Sequence, residues 1–223
     1  KNVRVAFDIL ADGVAPPSDH QYMRCHMIFD VKMEDFRRKA RLVAGGHMTK
    51  APATLTYASV VSRETVRIAL LMAALNDVDI WAADVLNAYI TAPCREKIWT
   101  TLGKEFGDDC GKKAIVVHAL YGLKSSGAAF RAHLAGCMQG MGYVSCPADP
   151  DLWLREQTDQ KGGWYYSYIL CYIGNLLVVH HYPKCIMDKI NSFLPLKPDS
   201  VGPPEMYLSM KLKKKTFEDG SMA

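Results

Sequence analysis

The residues of this chain that could do chemistry fall into three groups. Asp84 ends an apolar, β-prone run, Val78 to Val85 (VDIWAADV). A carboxylate at a strand end can share divalent metals with acidic groups on a neighbouring turn. Two such metals activate an attacking hydroxyl and stabilise a leaving pyrophosphate. The second group is the turn itself: Tyr165 to Ile173 and Leu176 to Val179 are apolar runs separated by Gly174-Asn175, a strong two-residue hairpin signal. The third group is basic. Arg37, Arg38, Lys39 and Arg41 form one cluster and Lys211, Lys213, Lys214 and Lys215 another; both are suited to phosphates, with affinity that falls steeply with salt. His180-His181 and nearby Cys185 lack a second ligand pair at zinc-finger spacing, so they read as strand-end residues.

The elements that must position these groups punctuate themselves. Residues 1–60 are broken by Gly13, Pro16, Pro17, Gly45, Gly46 and Pro52, and read as irregular apart from one short strand around Ala40, Leu42 and Ala44. Ser62 is a plausible N-cap for a well-buried helix over Val66 to Leu75. A second helix is predicted over Ser125 to Met141, with Gly142 as its stop. Pro183 opens a third, with Ile186, Met187, Ile190 and Phe193 on one face. Met206, Leu208, Met210 and Leu212 alternate with polar neighbours at strand period. Residues 78–212 therefore read β-α-β-β-α-β, an α+β, ferredoxin-like antiparallel sheet with both helices on one face. Residues 1–77 and 93–123 lie outside that core.

Composition bounds the class. The chain has 223 residues, 49% hydrophobic and 22% charged, with a formal net charge of +4. This fits a globular chain and excludes an acidic or disordered tail. No apolar run reaches the roughly 18–20 residues of a membrane span. Seven scattered cysteines with no C-x-x-C argue against a disulfide framework and for a reducing compartment. The sequence begins at Lys1 with no signal-like segment, and is read as part of a longer polypeptide.

The ordered motifs carry a resemblance. Asp84-Val85-Leu86-Asn87-Ala88-Tyr89-Ile90 resembles the first catalytic motif of the reverse transcriptases of copia-type LTR retrotransposons. Lys39-Ala40-Arg41-Leu42-Val43-Ala44 is similar to their basic fingers strand, and Thr56-Tyr57-Ala58-Ser59-Val60 to the segment before the first palm helix. Leu120-Tyr121-Gly122-Leu123-Lys124, Ala148-Asp149-Pro150-Asp151-Leu152-Trp153 and Tyr207-Leu208 follow in the family's order. The resemblance implies one RNA-directed DNA polymerase domain of a pol polyprotein. Residues 78–92 and 124–214 would form its palm, 1–77 and 93–123 its fingers, and 215–223 a truncated tail. It implies Mg²⁺ or Mn²⁺ at Asp84, with Lys39 and Arg41 on the incoming dNTP triphosphate. Tyr89 would be the wall under its sugar, and Lys124 would lie near template or nucleotide. The implied partners are an RNA template, a DNA primer and the rest of the polyprotein. The implied location is intracellular, cytoplasmic or particle-associated, with no membrane.

The pattern fails where it matters most. The family expects Tyr-x-Asp-Asp at the hairpin, and this chain reads Tyr172-Ile173-Gly174-Asn175. Two Mg²⁺ ions about 4 Å apart repel by roughly 15–20 kcal/mol at an effective dielectric of about 20, a repulsion that several carboxylates must offset. Glycine offers no ligand and the asparagine amide no charge, so Asp84 is left as the sole carboxylate of an incomplete metal site. Ser125-Ser126-Gly127 replaces a usual Gln-Ala-Pro, and Ser209 stands at a usual glycine. The expectation is a degenerate, catalytically defective copy. A non-catalytic nucleic-acid-binding remnant and a ferredoxin-like interaction domain are the alternatives.

Overall fold

A computed structural model describes residues 2–33, 36–52, 56–213 and 215. In chain order its strands and helices are β1 (Phe7–Ile9), β2 (Gln21–Tyr22), β3 (Cys25–Lys32), β4 (Arg37–Ala44), α1 (Arg63–Leu75), β5 (Ile80–Asp84), β6 (Ile98–Thr101) and β7 (Lys113–Val116). Then come α2 (Ser126–Gly140), β8 (Val144–Cys146), β9 (Asp149–Thr158), β10 (Trp164–Tyr172), β11 (Asn175–Val179), α3 (Pro183–Phe193), β12 (Met206–Tyr207) and β13 (Met210–Lys211). They group into two compact units: Lys1–Ala58 with Tyr89–His133, and Ser59–Ala88 with Leu134–Ala223. The divisions thus fall at 58/59, 88/89 and 133/134, where the sequence suggested 77/78, 92/93 and 123/124. Residue 214 and residues 216–223, which include part of the expected tail and one lysine of the second basic cluster, lie outside the described residues.

The first unit holds more strand than expected. A four-stranded sheet runs β1-β7-β6-β2, antiparallel except where β2 pairs with β6. Residues read as mostly irregular contain four strands, because β3 and β4 form an eight-register hairpin from Cys25↔Ala44 to Lys32↔Arg37. Alternation makes that ribbon two-faced. Met27, Leu42 and Ala44 lie on one face and pack into a core with Phe7, Met23, Ile98 and Val116, while Lys39 and Arg41 lie on the other. The sequence concealed β3 because its outer apolar residues, Ile28, Phe29 and Val31, are exposed rather than buried.

The second unit is built on an antiparallel sheet of order β5-β11-β10-β9-β8. Leu170, Leu177 and Val179 pack on one face with Val66, Ala69 and Ala73 of α1 and with Tyr207. Ile169, Leu176 and Val178, of opposite parity, are completely buried on the other; α3 packs against β5 and β11. Two expectations are corrected here. The run 206–212 does not supply a fourth sheet strand. Leu208 and Ser209 adopt positive φ, +47° and +65°, and fold it into the small β12–β13 hairpin. In its place residues 195–202 run along the outer edge of β5, with bridges Val85↔Leu196 and Ala82↔Gly202. The sheet also gains β8 and β9, so it is larger than a four-stranded ferredoxin-like core.

α1 begins as the sequence indicates: the Ser62 hydroxyl accepts from the Thr65 amide at 3.1 Å. It is not well buried, however, since Ile68, Leu71, Met72 and Leu75 are exposed and only Val66, Ala69 and Ala73 are covered. A second anchor comes from β9. The Asp149 carboxylate accepts from the Ser62 amide at 2.9 Å and the Thr65 hydroxyl at 2.6 Å. Burial pushes its pKa up, but these bonds and one from the Asp151 amide outweigh burial and hold it below the ordinary value. Asp149→Ala leaves the Ser62 amide and the Thr65 hydroxyl without this acceptor. It is expected to lower unfolding free energy in urea by about 1–3 kcal/mol, with Asp149→Asn costing less.

His180, just after β11, is the one predicted strand-end histidine with an energetic consequence. It is buried; its Nδ1 accepts from the Tyr182 amide at 2.8 Å and its Nε2 lies 3.1 Å from the Tyr165 hydroxyl. Burial, with His181 nearby, lowers its pKa to about 4. The unfolded chain protonates this group near pH 6.5 and the folded chain only near 4, so the unfolded state binds more protons in between. Stability is therefore expected to fall by roughly 2–3 kcal/mol as pH drops from 6.5 to 4. His180→Gln should remove this part of the slope in urea titrations at several pH values.

Candidate functional site

The antiparallel pairing of β5 with β11 puts Asp84 directly opposite Asn175. The amide of Val85 donates to the Gly174 carbonyl at 2.8 Å, so the end of the first strand is tied to the hairpin turn. A cavity of about 340 Å³ opens beside the pair, lined in part by Asp84, Asn175, Ser200, Gly202, Tyr207 and Leu208. The first-strand carboxylate and the turn positions of the resemblance are thus brought together on adjacent strands of one sheet.

The turn differs from its sequence reading by one residue. β10 ends at Tyr172 and β11 begins at Asn175, which pair with each other. The two loop residues are therefore Ile173 and Gly174, not Gly174 and Asn175. Ile173 carries φ of +54°, a left-handed conformation that a β-branched residue adopts only at a cost. Gly174 is held close: a Cβ there would lie 3.3 Å from Cβ of Ala88. Asn175 is exposed at the start of β11. Since Ile173 is half exposed, Ile173→Gly loses little burial and relieves the left-handed strain. It should raise unfolding free energy by about 0.5–1 kcal/mol in chemical denaturation.

Asp84 has a partner that the sequence did not disclose. The Lys197 ammonium lies 2.6 Å from Asp84 Oδ2, with the two side chains 42% and 34% exposed. The backbone repeats the connection. Lys197 N–H donates to the Asp84 carbonyl at 2.9 Å, and Asp84 N–H donates to Ser200 Oγ, which donates to the Lys197 carbonyl, both at 2.8 Å. No hydropathy pattern marks Lys197 or Ser200; only the course of 195–202 along β5 brings them to Asp84.

The donor set does not fit a pair of divalent metals. Position 174 has no side-chain ligand, position 175 offers a neutral amide, and the remaining carboxylate is matched by an ammonium. Among the described residues no group of three or more His, Cys, Asp or Glu side chains is placed to hold a metal ion.

The other residues singled out by resemblance all belong to the first unit. Lys39 and Arg41 lie on the same face of β4, where Arg41 Nη1 is 3.7 Å from Asp30 Oδ2. Tyr89 stands in a 3-10 turn, Ala88–Thr91. Its ring packs edge-on against Tyr121 at 4.7 Å and Phe130 at 6.1 Å. Burial, with the Tyr121 phenol beside it, pushes its pKa up. Lys124 follows a tight backbone crossing. Gly122 has φ of +93°, a Cβ on it would collide with the Ala44 carbonyl, and Ala44 N–H donates to the Tyr121 carbonyl at 2.7 Å. The Lys124 ammonium donates to the Thr49 carbonyl at 2.5 Å. Ser125 and Ser126, which replace the usual Gln-Ala, open α2 instead. The Ser125 amide and hydroxyl donate to Glu96 Oε1 at 2.9 and 2.7 Å, and Ser126 Oγ donates to the Leu120 carbonyl at 2.6 Å.

The order of the motifs agrees with comparison to known proteins. The sequence profile of the family described as reverse transcriptase (RNA-dependent DNA polymerase) matches residues 10–215, and the chain belongs to that family. The chain is also similar to a transposon polyprotein. The chain is 25% identical over 207 residues, 88% of its length, to the Retrovirus-related Pol polyprotein from transposon TNT 1-94 of Nicotiana tabacum. The match spans about 15% of that polyprotein. Among the described residues no helix is long and apolar enough to cross a membrane.

Proposed function

We propose that this chain is a copia-type reverse-transcriptase domain that no longer carries out RNA-directed DNA synthesis. The observation that carries the reading is the Asp84–Asn175 pair beside Gly174, in which two positions that need carboxylates have none. The five-stranded sheet with α1 and α3 corresponds to the palm, and the unit containing the β3–β4 ribbon to the fingers. Nucleotidyl transfer needs a primer hydroxyl stripped of its proton and a pyrophosphate whose charge is neutralised. Asp84 paired with Lys197 supplies neither, so Mg²⁺ or Mn²⁺ has no productive two-ion site and no step is assigned to it.

The binding surfaces survive better than the chemistry. The shared face of Lys39 and Arg41 on β4 supports a triphosphate-contacting role, and the packing of Tyr89 against Tyr121 and Phe130 supports a role as the wall under a sugar. Lys124 is committed to the Thr49 carbonyl, which favours a structural use over contact with template. The basic face of the ribbon, with Lys211 and Lys213 in the other unit, favours a second reading as a nucleic-acid-binding remnant. By resemblance the family's partners are an RNA template, a DNA primer and dNTP, with the rest of a pol polyprotein, in an intracellular, cytoplasmic or particle-associated setting; the second reading keeps only the nucleic acid.

Primer extension on poly-rA/oligo-dT in Mg²⁺ and in Mn²⁺ tests the proposal. Incorporation is expected at background and unaltered by Asp84→Asn. Robust extension that Asp84→Asn abolishes would overturn it. On the second reading, the same preparation retains RNA with an affinity that falls steeply as salt rises.

A further inference from the structure

Beyond lost activity, the structure assigns Lys197 as the resident counter-ion of Asp84: a positive charge supplied by the chain itself at the carboxylate where a divalent cation would otherwise sit. This turns a catalytic position into a structural clamp. The assignment rests on the reading of Asp84 as the surviving member of a degenerate site.

Three features of the geometry carry it. The ammonium reaches Asp84 Oδ2 at 2.6 Å, within the range of a charge-assisted hydrogen bond. The same two residues are joined through their backbones, Lys197 N–H to Asp84 C=O at 2.9 Å. Ser200 then bridges the Asp84 amide and the Lys197 carbonyl. The lysine is thus presented by a fixed segment and does not search for its partner, which reduces the side-chain entropy that usually cancels an exposed ion pair.

The clamp has mechanical work to do. β5 is an edge strand of its sheet, and 195–202 is the segment that satisfies its outer edge. Leu86 N–H donates to the Pro195 carbonyl at 2.7 Å at one end. Ala82 and Gly202 exchange bonds of 2.8 and 3.1 Å at the other. Between these ends the Asp84–Lys197 pair is the ionic link. With carboxylates at 174 and 175, Asp84 would be one of three anions competing for any nearby cation. With Gly174 and Asn175, one carboxylate and one ammonium balance. The substitutions that remove metal affinity thereby make the local ion pair self-sufficient.

A double-mutant cycle of unfolding with Asp84→Asn, Lys197→Met and the combined variant tests this. Each single change is expected to lower the folded-to-unfolded ratio about two- to fivefold at low salt, the range of modest exposed pairs. The combined variant should be no worse than the poorer single one. Lys197→Arg keeps the charge and should retain most of the wild-type ratio. Amide hydrogen exchange at Leu86 and Gly202 should quicken in Lys197→Met while that of Leu177 stays slow. Additive or null effects, or a Lys197→Met variant with unchanged exchange along 82–86, would overturn the assignment. These readouts are independent of polymerisation: if the clamp fails but extension stays at background, only this inference falls. Extension that depends on Asp84 would remove the reading beneath it.

Discussion

The pairing of β5 with β11 is the constraint on which the rest of the second unit depends. It sets Asp84 opposite Asn175 and Ala82 opposite Leu177, and by alternation it decides which side chains meet α1 and which the other face. A slip of one residue in β11 would turn Leu177 and Val179 away from Val66 and Ala69. Burial of that many aliphatic side chains, at about 25 cal/mol per Å² of apolar surface, makes such a slip prohibitive. The register that sets Asp84 opposite the hairpin is therefore maintained by the core.

Maintenance by the core leaves positions 174 and 175 free to vary inside an intact fold. Gly174 and Asn175 are tolerated because the turn bears little of the packing. Two-residue turns ask for backbone conformations, not carboxylates. The strain at Ile173 persists because the β10–β11 ladder on either side fixes the backbone there. Asp84 is fixed to the 195–202 segment that covers the edge of β5. In the first unit, the serines at the start of α2 are satisfied by the Glu96 carboxylate and the Leu120 carbonyl.

Much of this was legible in the sequence where short-range physics decides. The Ser62 cap, the Pro183 start of α3 and the two apolar runs of the β10–β11 hairpin all announce themselves. The turn was misplaced by one residue because Gly174-Asn175 is a favoured turn dipeptide while Ile173 is a poor one, and ladder pairing overrode local preference. β3 is hidden because Phe29 and Val31, on the same face as Met27, lie beyond the core and are exposed, so it lacks the buried alternation of a core strand. The run 206–212 alternates well but is broken by two consecutive positive-φ residues that no periodicity reveals. Lys197 was invisible for a more general reason. Its role depends on a contact with a residue 113 positions away, and nothing local distinguishes it from other surface lysines.

On the proposed reading Asp84, Gly174 and Asn175 do not form a divalent-metal site. The most direct measurement is a titration of the protein with Mn²⁺ followed by electron paramagnetic resonance of the free ion, for wild type and Asp84→Asn. The account predicts superimposable curves with no site tighter than the millimolar range. Stoichiometric sub-millimolar binding in the wild type, lost in Asp84→Asn, would contradict it.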